Sequence, residues 1–213
     1  MSSIRSSKRI SVPVPAESQI RLFLATSNPG KRDEYRAMAE GKPVWLDLLP
    51  DFSSLPPFDE SAPTFAENAA GKALHYSRLT SEMILADDSG LVVPALGGAP
   101  GVHSSRYAGP GASDADRVRK LLGDMRGKKG EGRRAHFVCV IAVAQRGLAL
   151  SVVSALAEGA LLEEPRGSGG FGYDPIFYFT PLRKTFAELS RSEKNRHSHR
   201  GLAFERLLAS LLP

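Results

Sequence analysis

Apolar and polar positions fall into a regular pattern only from Ile20 onward. Residues 21–26, Arg-Leu-Phe-Leu-Ala-Thr, predict a strand, and residues 44–49 predict a second. A helix is expected between them, from about residue 32 to 40. Thr64-Phe65-Ala66-Glu67 has the spacing of a capping box, so a helix should start there and run to about residue 79. Asn68 and Lys72 lie four apart and share a face of it. Residues 83–86 read as the end of a buried strand, with residues 91–93 extended. Ser113 caps a helix whose first turn holds Asp114 and Asp116, where the macrodipole favours acids. Two apolar runs, 135–144 and 148–156, flank Gln145-Arg146-Gly147 and predict a β-hairpin. A strand is expected near residues 176–179. The last helix starts at the cap Ser198 and runs to about residue 211, with Ala203, Leu207, Leu208 and Leu211 as its apolar stripe.

The breaks in this pattern carry the candidate chemistry. Ser27-Asn28-Pro29-Gly30-Lys31 is a polar-rimmed turn between a strand and a helix. Backbone N–H groups and a lysine at a helix start make an anion site. The phosphate-loop spacing Gly-x-x-x-x-Gly-Lys-Ser/Thr is absent. Asp87-Asp88-Ser89-Gly90 follows the strand at 83–86. Neighbouring strand residues point to opposite faces, so one Asp can tie down the local turn while the other projects into a cleft at the strand's end. Ligands of α/β sheets bind there. Such a carboxylate suits Mg²⁺ or work as a general base on water; all four residues also suit a plain turn. Asp59 and Glu60 sit in a loop over residues 51–63, and a further loop covers 97–102. Gly167-Ser168-Gly169-Gly170-Phe171-Gly172 matches Gly-x-Gly-x-x-Gly by letter, but a turn and a strand follow where a dinucleotide site needs a helix. It reads either as a flexible loop or as backbone that approaches a ligand, with Phe171 free to stack. His199 and Arg200 fall in the first turn of the last helix. A cation there, against the dipole, suggests an anionic or acceptor partner, or a solvated Arg.

Composition sets the limits. The chain has 213 residues, ordinary hydrophobic and charged fractions, and one cysteine. Cys139 lies in an apolar run and reads as core, and an intramolecular disulfide is excluded. A cytoplasmic setting is expected. No run of about 18 apolar residues exists, so no membrane span is expected. Residues 1–18 are rich in Ser, Arg and Pro without periodicity and read as a disordered extension, leaving 19–213 as one domain; the lack of acids before Glu17 also admits a transit peptide, though the amphipathic pattern is poor. The net charge of +5 admits a nucleic-acid-binding module as a rival reading. That reading wants aromatics among the basic residues, and none interrupt residues 126–134, which read as a surface loop.

Six segments in order resemble the inosine triphosphate pyrophosphatase family, the XTP/dITP diphosphatases. They are Ala-Thr-Ser-Asn-Pro-Gly-Lys, Thr-Phe-Ala-Glu-Asn-Ala, Ala-Asp-Asp-Ser-Gly-Leu, Gly-Gly-Ala-Pro-Gly-Val, Gly-Gly-Phe-Gly-Tyr-Asp-Pro and Ser-His-Arg-Gly. Ser27 stands where many members have Gly, and the first twenty residues have no counterpart. The resemblance implies an α/β fold: a long, twisted mixed sheet flanked by helices, in two lobes with the nucleotide in the cleft between them. It implies hydrolysis of deaminated purine nucleoside triphosphates to monophosphate and pyrophosphate, Mg²⁺, and a homodimer, with neither nucleic acid nor membrane as partner. By this resemblance Lys31, Lys72 and Lys194 hold the triphosphate with Thr26, Ser27, Asn28, Pro29 and Gly30. Glu60 and Asp88 hold Mg²⁺, and Asp88 handles the water, beside Ser89. Asp87 is either a further ligand or structural. Phe171 stacks on the purine, Gly172, Tyr173 and Asp174 line its pocket, and His199 and Arg200 donate to the 6-oxo group. A pyrophosphatase acting on modified pyrimidines is the nearer rival.

Overall fold

The computed structural model describes residues 20–212. The extension at 1–18 lies outside them. Seven strands form one mixed sheet in the order β2-β1-β3-β4-β5-β6-β7. β1 (Ile20–Leu24) lies parallel to both β2 (Val44–Leu48) and β3 (Met83–Val92). From β3 onward the pairing is antiparallel, through β4 (Arg134–Gln145), β5 (Leu148–Leu161), β6 (Phe177–Phe179) and β7 (Lys184–Thr185). The expected hairpin is present and longer than its apolar run suggests. Its two-residue turn puts Arg146 and Gly147 at φ 52° and 78°, the primed geometry that matches strand twist.

Helices cover both faces. α1 (Pro29–Ala39) and α5 (His199–Leu211) pack on one side, where Tyr35, Met38, Phe204 and Leu207 meet Leu85, Cys139 and Ile141. Cys139 is core, as expected. α2 (Phe65–Ser77) packs on the other side, with Ala69, Ala73 and Tyr76 against Ile84, Ala86 and Ala142. α3 (Asp114–Asp124) closes a third cluster, in which Val118, Leu121 and Met125 meet Phe137, Phe177 and Phe186. A short helix, α4 (Arg191–His197), precedes α5 and was not expected. In the basic segment, Arg133 turns inward to donate to the carbonyls of Leu161 and Leu162, both at 2.6 Å.

Two local expectations are corrected. Residues 27–31 are not a turn preceding a helix at 32: the helix starts at Pro29. Asn28 caps it, its Oδ1 accepting from the Lys31 N–H at 3.0 Å, and Pro29 occupies a position where the missing N–H costs nothing. Nor do Asp87-Asp88-Ser89-Gly90 form a turn. β3 runs straight through them, paired residue for residue with 138–141 of β4. The ladder with β4 overrides their local preference for turns.

Candidate functional site

β1 stops at Leu24, while β3 continues for several residues beyond its pairing with β1. The chain leaving β1 goes to β2 on one side, and β3 lies on the other. The crevice at the carboxyl ends of these two parallel strands is the switch point where open α/β sheets bind ligands. A cavity opens there. It is lined by Thr26, Ser27, Asn28, Lys31, Glu60, Lys72, Asp88 and Ser89 from the first half of the chain, and by Phe171, Gly172, Tyr173, Asp174, Lys194, His199 and Arg200 from the last part. The sequence-derived residues thus meet in one place, apart from Pro29 and Gly30. Those two do not line the cavity, yet Gly30 lies directly under the Phe171 ring: a Cβ there would fall 2.5 Å from it.

The paired aspartates point to opposite faces of β3, as an extended strand requires. Asp87 is fully buried on the α1–α5 side, 3.0 Å from the Lys31 ammonium and 3.1 Å from Nε of Arg200. Burial alone would raise its pKa, but Lys31, Arg200 and Lys72 hold the carboxyl well below the usual range. Asp88 faces α2 and the cavity. Its Oδ1 accepts from the Ser89 N–H at 2.9 Å and its Oδ2 from the Asn68 amide at 3.0 Å. Burial pushes its pKa up, Lys31 and Asn68 pull it back, and Glu60 and Asp87 push it up again. Asp87 thus lies in the interior between two cations, and Asp88 lines the cleft.

The glycine-rich loop is held by backbone and side chains together: the Gly169 N–H donates to the Ala187 carbonyl at 3.0 Å, and side chains fix the rest. Asp174 accepts from the Phe171 N–H at 2.8 Å, Asp114 accepts from the Gly172 N–H at 2.7 Å, and the Tyr173 hydroxyl donates to the Ser104 carbonyl at 2.9 Å. The Phe171 ring lies 4.8 Å from the Lys194 ammonium and 5.6 Å from the Arg200 guanidinium. Lys194 is bound to Asp174 and, at 2.6 Å, to Glu34 of α1. Burial would lower its pKa, but the two carboxylates raise it. Arg200 donates from all three nitrogens, to Asp87, to Glu34 at 2.5 Å and to Ser89 at 2.7 Å. A guanidinium has five N–H donors, so two remain. His199 stacks on Phe137 with centroids 4.6 Å apart, and burial, with Arg200 and Lys194 nearby, drives its pKa well below the ordinary value. Both effects favour the neutral imidazole, which leaves Arg200 as the cation at the start of α5.

The family model described as the Ham1 family matches residues 22–210. The chain belongs to the Ham1 family. It is 48% identical over 186 residues to the dITP/XTP pyrophosphatase of Geobacillus kaustophilus, covering 87% of this chain and 91% of that protein. It is 47% identical over 189 residues to the dITP/XTP pyrophosphatase of Thermus thermophilus, covering 89% and 90%. A HAM1 protein from Coxiella burnetii superposes with a TM-score of 0.81 at 41% identity, covering 91% of this chain and 98% of that one. The Staphylococcus aureus Ham1 protein gives 0.79 at 35%, covering 90% and 97%. The α/β class and the mixed sheet flanked by helices are those of this family.

Sequence reading missed two features of this Ham1 site, Glu34 and the loop-holding role of Asp114. Glu34 is the hub between Lys194 and Arg200, and burial notwithstanding, those two cations lower its pKa. Asp114 was credited only with favouring the helix dipole; it also pairs with Arg117 and holds the Phe171 loop. The one available sign was its position at the start of a helix, which said nothing of a partner 58 residues away. Among the described residues no group of three or more His, Cys, Asp or Glu is arranged to hold a metal. Glu60 and Asp88 are two hard-oxygen carboxylates on one cleft. That is the usual protein share of a Mg²⁺ site, where waters and substrate phosphates supply the rest.

Proposed function

We propose that this chain hydrolyses deaminated purine nucleoside triphosphates, namely inosine, deoxyinosine and xanthosine triphosphates, to the monophosphate and pyrophosphate. The observation that carries this reading is the convergence of three features in one cavity. These are a helix start with Lys31, a carboxylate, Asp88, on the cleft side of β3, and a buried Arg200 behind Phe171. The names of the relatives, dITP/XTP pyrophosphatases, support it. The cleft is read as lying between two lobes, one bearing α1, α2 and the start of β3, the other bearing the Phe171 loop and α3.

In this reading Asp88 orients the attacking water at the α-phosphorus and takes its proton. Bound Mg²⁺, held by Glu60 and Asp88 with the phosphates, would neutralise charge that builds on the phosphate oxygens. Thr26, Ser27 and Asn28 bring the positive end of α1 to the phosphates, and Lys31, Lys72 and Lys194 supply cations. Each lysine holds a carboxylate in this structure, Asp87, Glu60 and Glu34 respectively, so the positive charge is placed before the nucleotide arrives. Phe171 stacks on the base. The two uncommitted N–H groups of Arg200 meet the 6-oxo group. Adenine would present an amino donor to that donor, and a mismatch at such a site is worth up to ~10⁴ in discrimination.

The enzyme is read as a cytoplasmic homodimer. Val152 and Leu156 of β5, each about half exposed, offer an apolar surface for a second copy. No helix among the described residues is long and apolar enough to cross a membrane.

The test is pyrophosphate release across a nucleotide panel with Mg²⁺. Inosine, deoxyinosine and xanthosine triphosphates should exceed ATP and GTP by orders of magnitude, and Arg200→Ala should narrow the gap to ATP, whose base lacks the 6-oxo group. Equal turnover of ATP, or turnover confined to pyrimidines, would remove the reading.

A further inference from the structure

The segment that delivers Glu60 has no secondary structure of its own over residues 55–61, yet it follows α2 in a strict register. Phe58 donates its N–H to the Tyr76 hydroxyl at 3.3 Å. The Glu60 carboxylate meets the Lys72 ammonium at 2.5 Å. Ala62 exchanges two hydrogen bonds with the Asn68 side chain: its N–H to Oδ1 at 3.0 Å, and Nδ2 to its carbonyl at 3.3 Å. Residues 58, 60 and 62 thus pair with 76, 72 and 68. Two residues of nearly extended chain advance about 6.6 Å. Four residues of helix advance about 6 Å. The two repeats match closely enough for three successive links. Midway, the Phe58 ring lies on Gly71, where a Cβ would fall 2.6 Å from its tip. The segment is a strap laid along the helix.

Asn68 ends this strap and does one thing more. Its second amide hydrogen goes to Oδ2 of Asp88 at 3.0 Å. An Asn side chain has two N–H donors and one carbonyl, and here all are engaged. The orientation is unique, because a flipped amide would set its oxygen against the Asp88 carboxylate. The side chain is almost wholly buried, so water does not substitute for these links.

We propose that Asn68 is a positioning residue that locks the Glu60 strap and the Asp88 carboxylate to one another. It sets their spacing before any ion or nucleotide binds. The proposal rests on the reading of Glu60 and Asp88 given above, and its test is separable from it. Amide exchange in the metal-free protein, with Asn68→Ala, should be faster by about tenfold at the bonded amides of residues 56–62, Phe58 and Ala62, and unchanged in β4, the effect of losing the two neutral hydrogen bonds that hold Ala62. With inosine triphosphate, kcat should fall about tenfold while KM stays within about threefold, since the groups that hold the nucleotide remain. The Mg²⁺ concentration for half-maximal rate should rise. Gly71→Ala is the second variant. It lifts the Phe58 ring from the helix while leaving the three hydrogen bonds of Asn68 in place, and should speed exchange over 56–62 while the melting temperature holds or rises. Unchanged exchange over 56–62 in both variants overturns the proposal. So does exchange that quickens throughout the protein in Asn68→Ala, which would make Asn68 a general folding residue. Full turnover by Asp88→Asn would overturn the functional reading instead, and leaves the exchange result to judge the strap by itself.

Discussion

Asp87 and Arg200 are 113 positions apart in sequence, yet the carboxylate Oδ2 and guanidinium Nε meet at 3.1 Å with both side chains out of solvent. Asp88, the next residue, is crowded by Glu60 and Asp87 and raised in pKa by burial. The two neighbours should therefore respond in opposite ways to the same substitution. Asp87→Asn leaves Lys31 and Arg200 short of a buried anion and should cost about 3–5 kcal/mol of stability, the range for breaking a buried pair. Asp88→Asn relieves repulsion and should stay within about 1 kcal/mol of the parent while kcat falls at least ~10²-fold. Denaturant unfolding and single-substrate kinetics on both variants check this. A stable Asp87→Asn protein, or an active Asp88→Asn protein, would reverse the assignment.

Glu34 makes the same network sensitive to acid. Burial would raise its pKa, but Arg200 and Lys194 bring it below the ordinary 4.5. A carboxylate with a depressed folded-state pKa stabilises fully above its unfolded value and loses that contribution as pH falls through the folded one. Below pH 4.5, then, the parent should lose melting temperature that Glu34→Gln does not, because the amide has no charge to lose. Near pH 7 the variant should be the less stable of the two by about 3 kcal/mol, the lower end for an interrupted buried pair. Melting curves from pH 3 to 7 read both effects, and parallel curves would show that Glu34 contributes no net pairing energy.

What sequence made legible was local. The Thr64 cap, the hairpin turn at Arg146-Gly147 and the apolar stripe of α5 each follow from residues within a turn or two. The cavity's residues were gathered by resemblance, motif by motif. What sequence hid was non-local. Asp-Asp-Ser-Gly looks like a turn until β4 pairs with it. Glu34 is one of two acids in α1 until residues 160 and more positions later close around it. The short α4 has no apolar stripe, though Ser190 and Glu193 form a capping box that a stricter reading would have found.

Asp114 ties α3 to the Phe171 loop through one backbone hydrogen bond at 2.7 Å, and Arg117 braces it by donating to the Ser105 carbonyl at 2.9 Å. Asp114→Ala frees the Gly172 N–H and should raise KM for inosine triphosphate about tenfold, the worth of a hydrogen bond to a charged acceptor. The melting temperature should move little, because the carboxylate is near the surface. Asp114→Asn keeps an acceptor oxygen and should recover part of the loss. Equal KM values in the parent and both variants would separate α3 from the loop's position.

Gly30 offers the clearest division between stability and binding. It lies in the first turn of α1, where Ala is the better helix former, so Gly30→Ala alone should stabilise by up to about 1 kcal/mol. Its added methyl, however, would meet Phe171 Cδ1 at 2.5 Å and Cγ at 2.8 Å, closer than carbon atoms approach. The ring must give way, since the helix backbone is fixed by the Asn28 cap and by Tyr35 packed beneath it. Displacing the ring moves the surface on which the base stacks. The expected outcome is a melting temperature equal to or above the parent's together with a KM for inosine triphosphate raised several-fold or more. Phe171→Ala is the reference, because in a protein that lacks the ring the Gly30→Ala change should have no further effect on KM. Additive losses in the double variant would mean that the methyl acts on the phosphate end of the cleft and that Gly30 serves the α1 N–H groups instead of the ring.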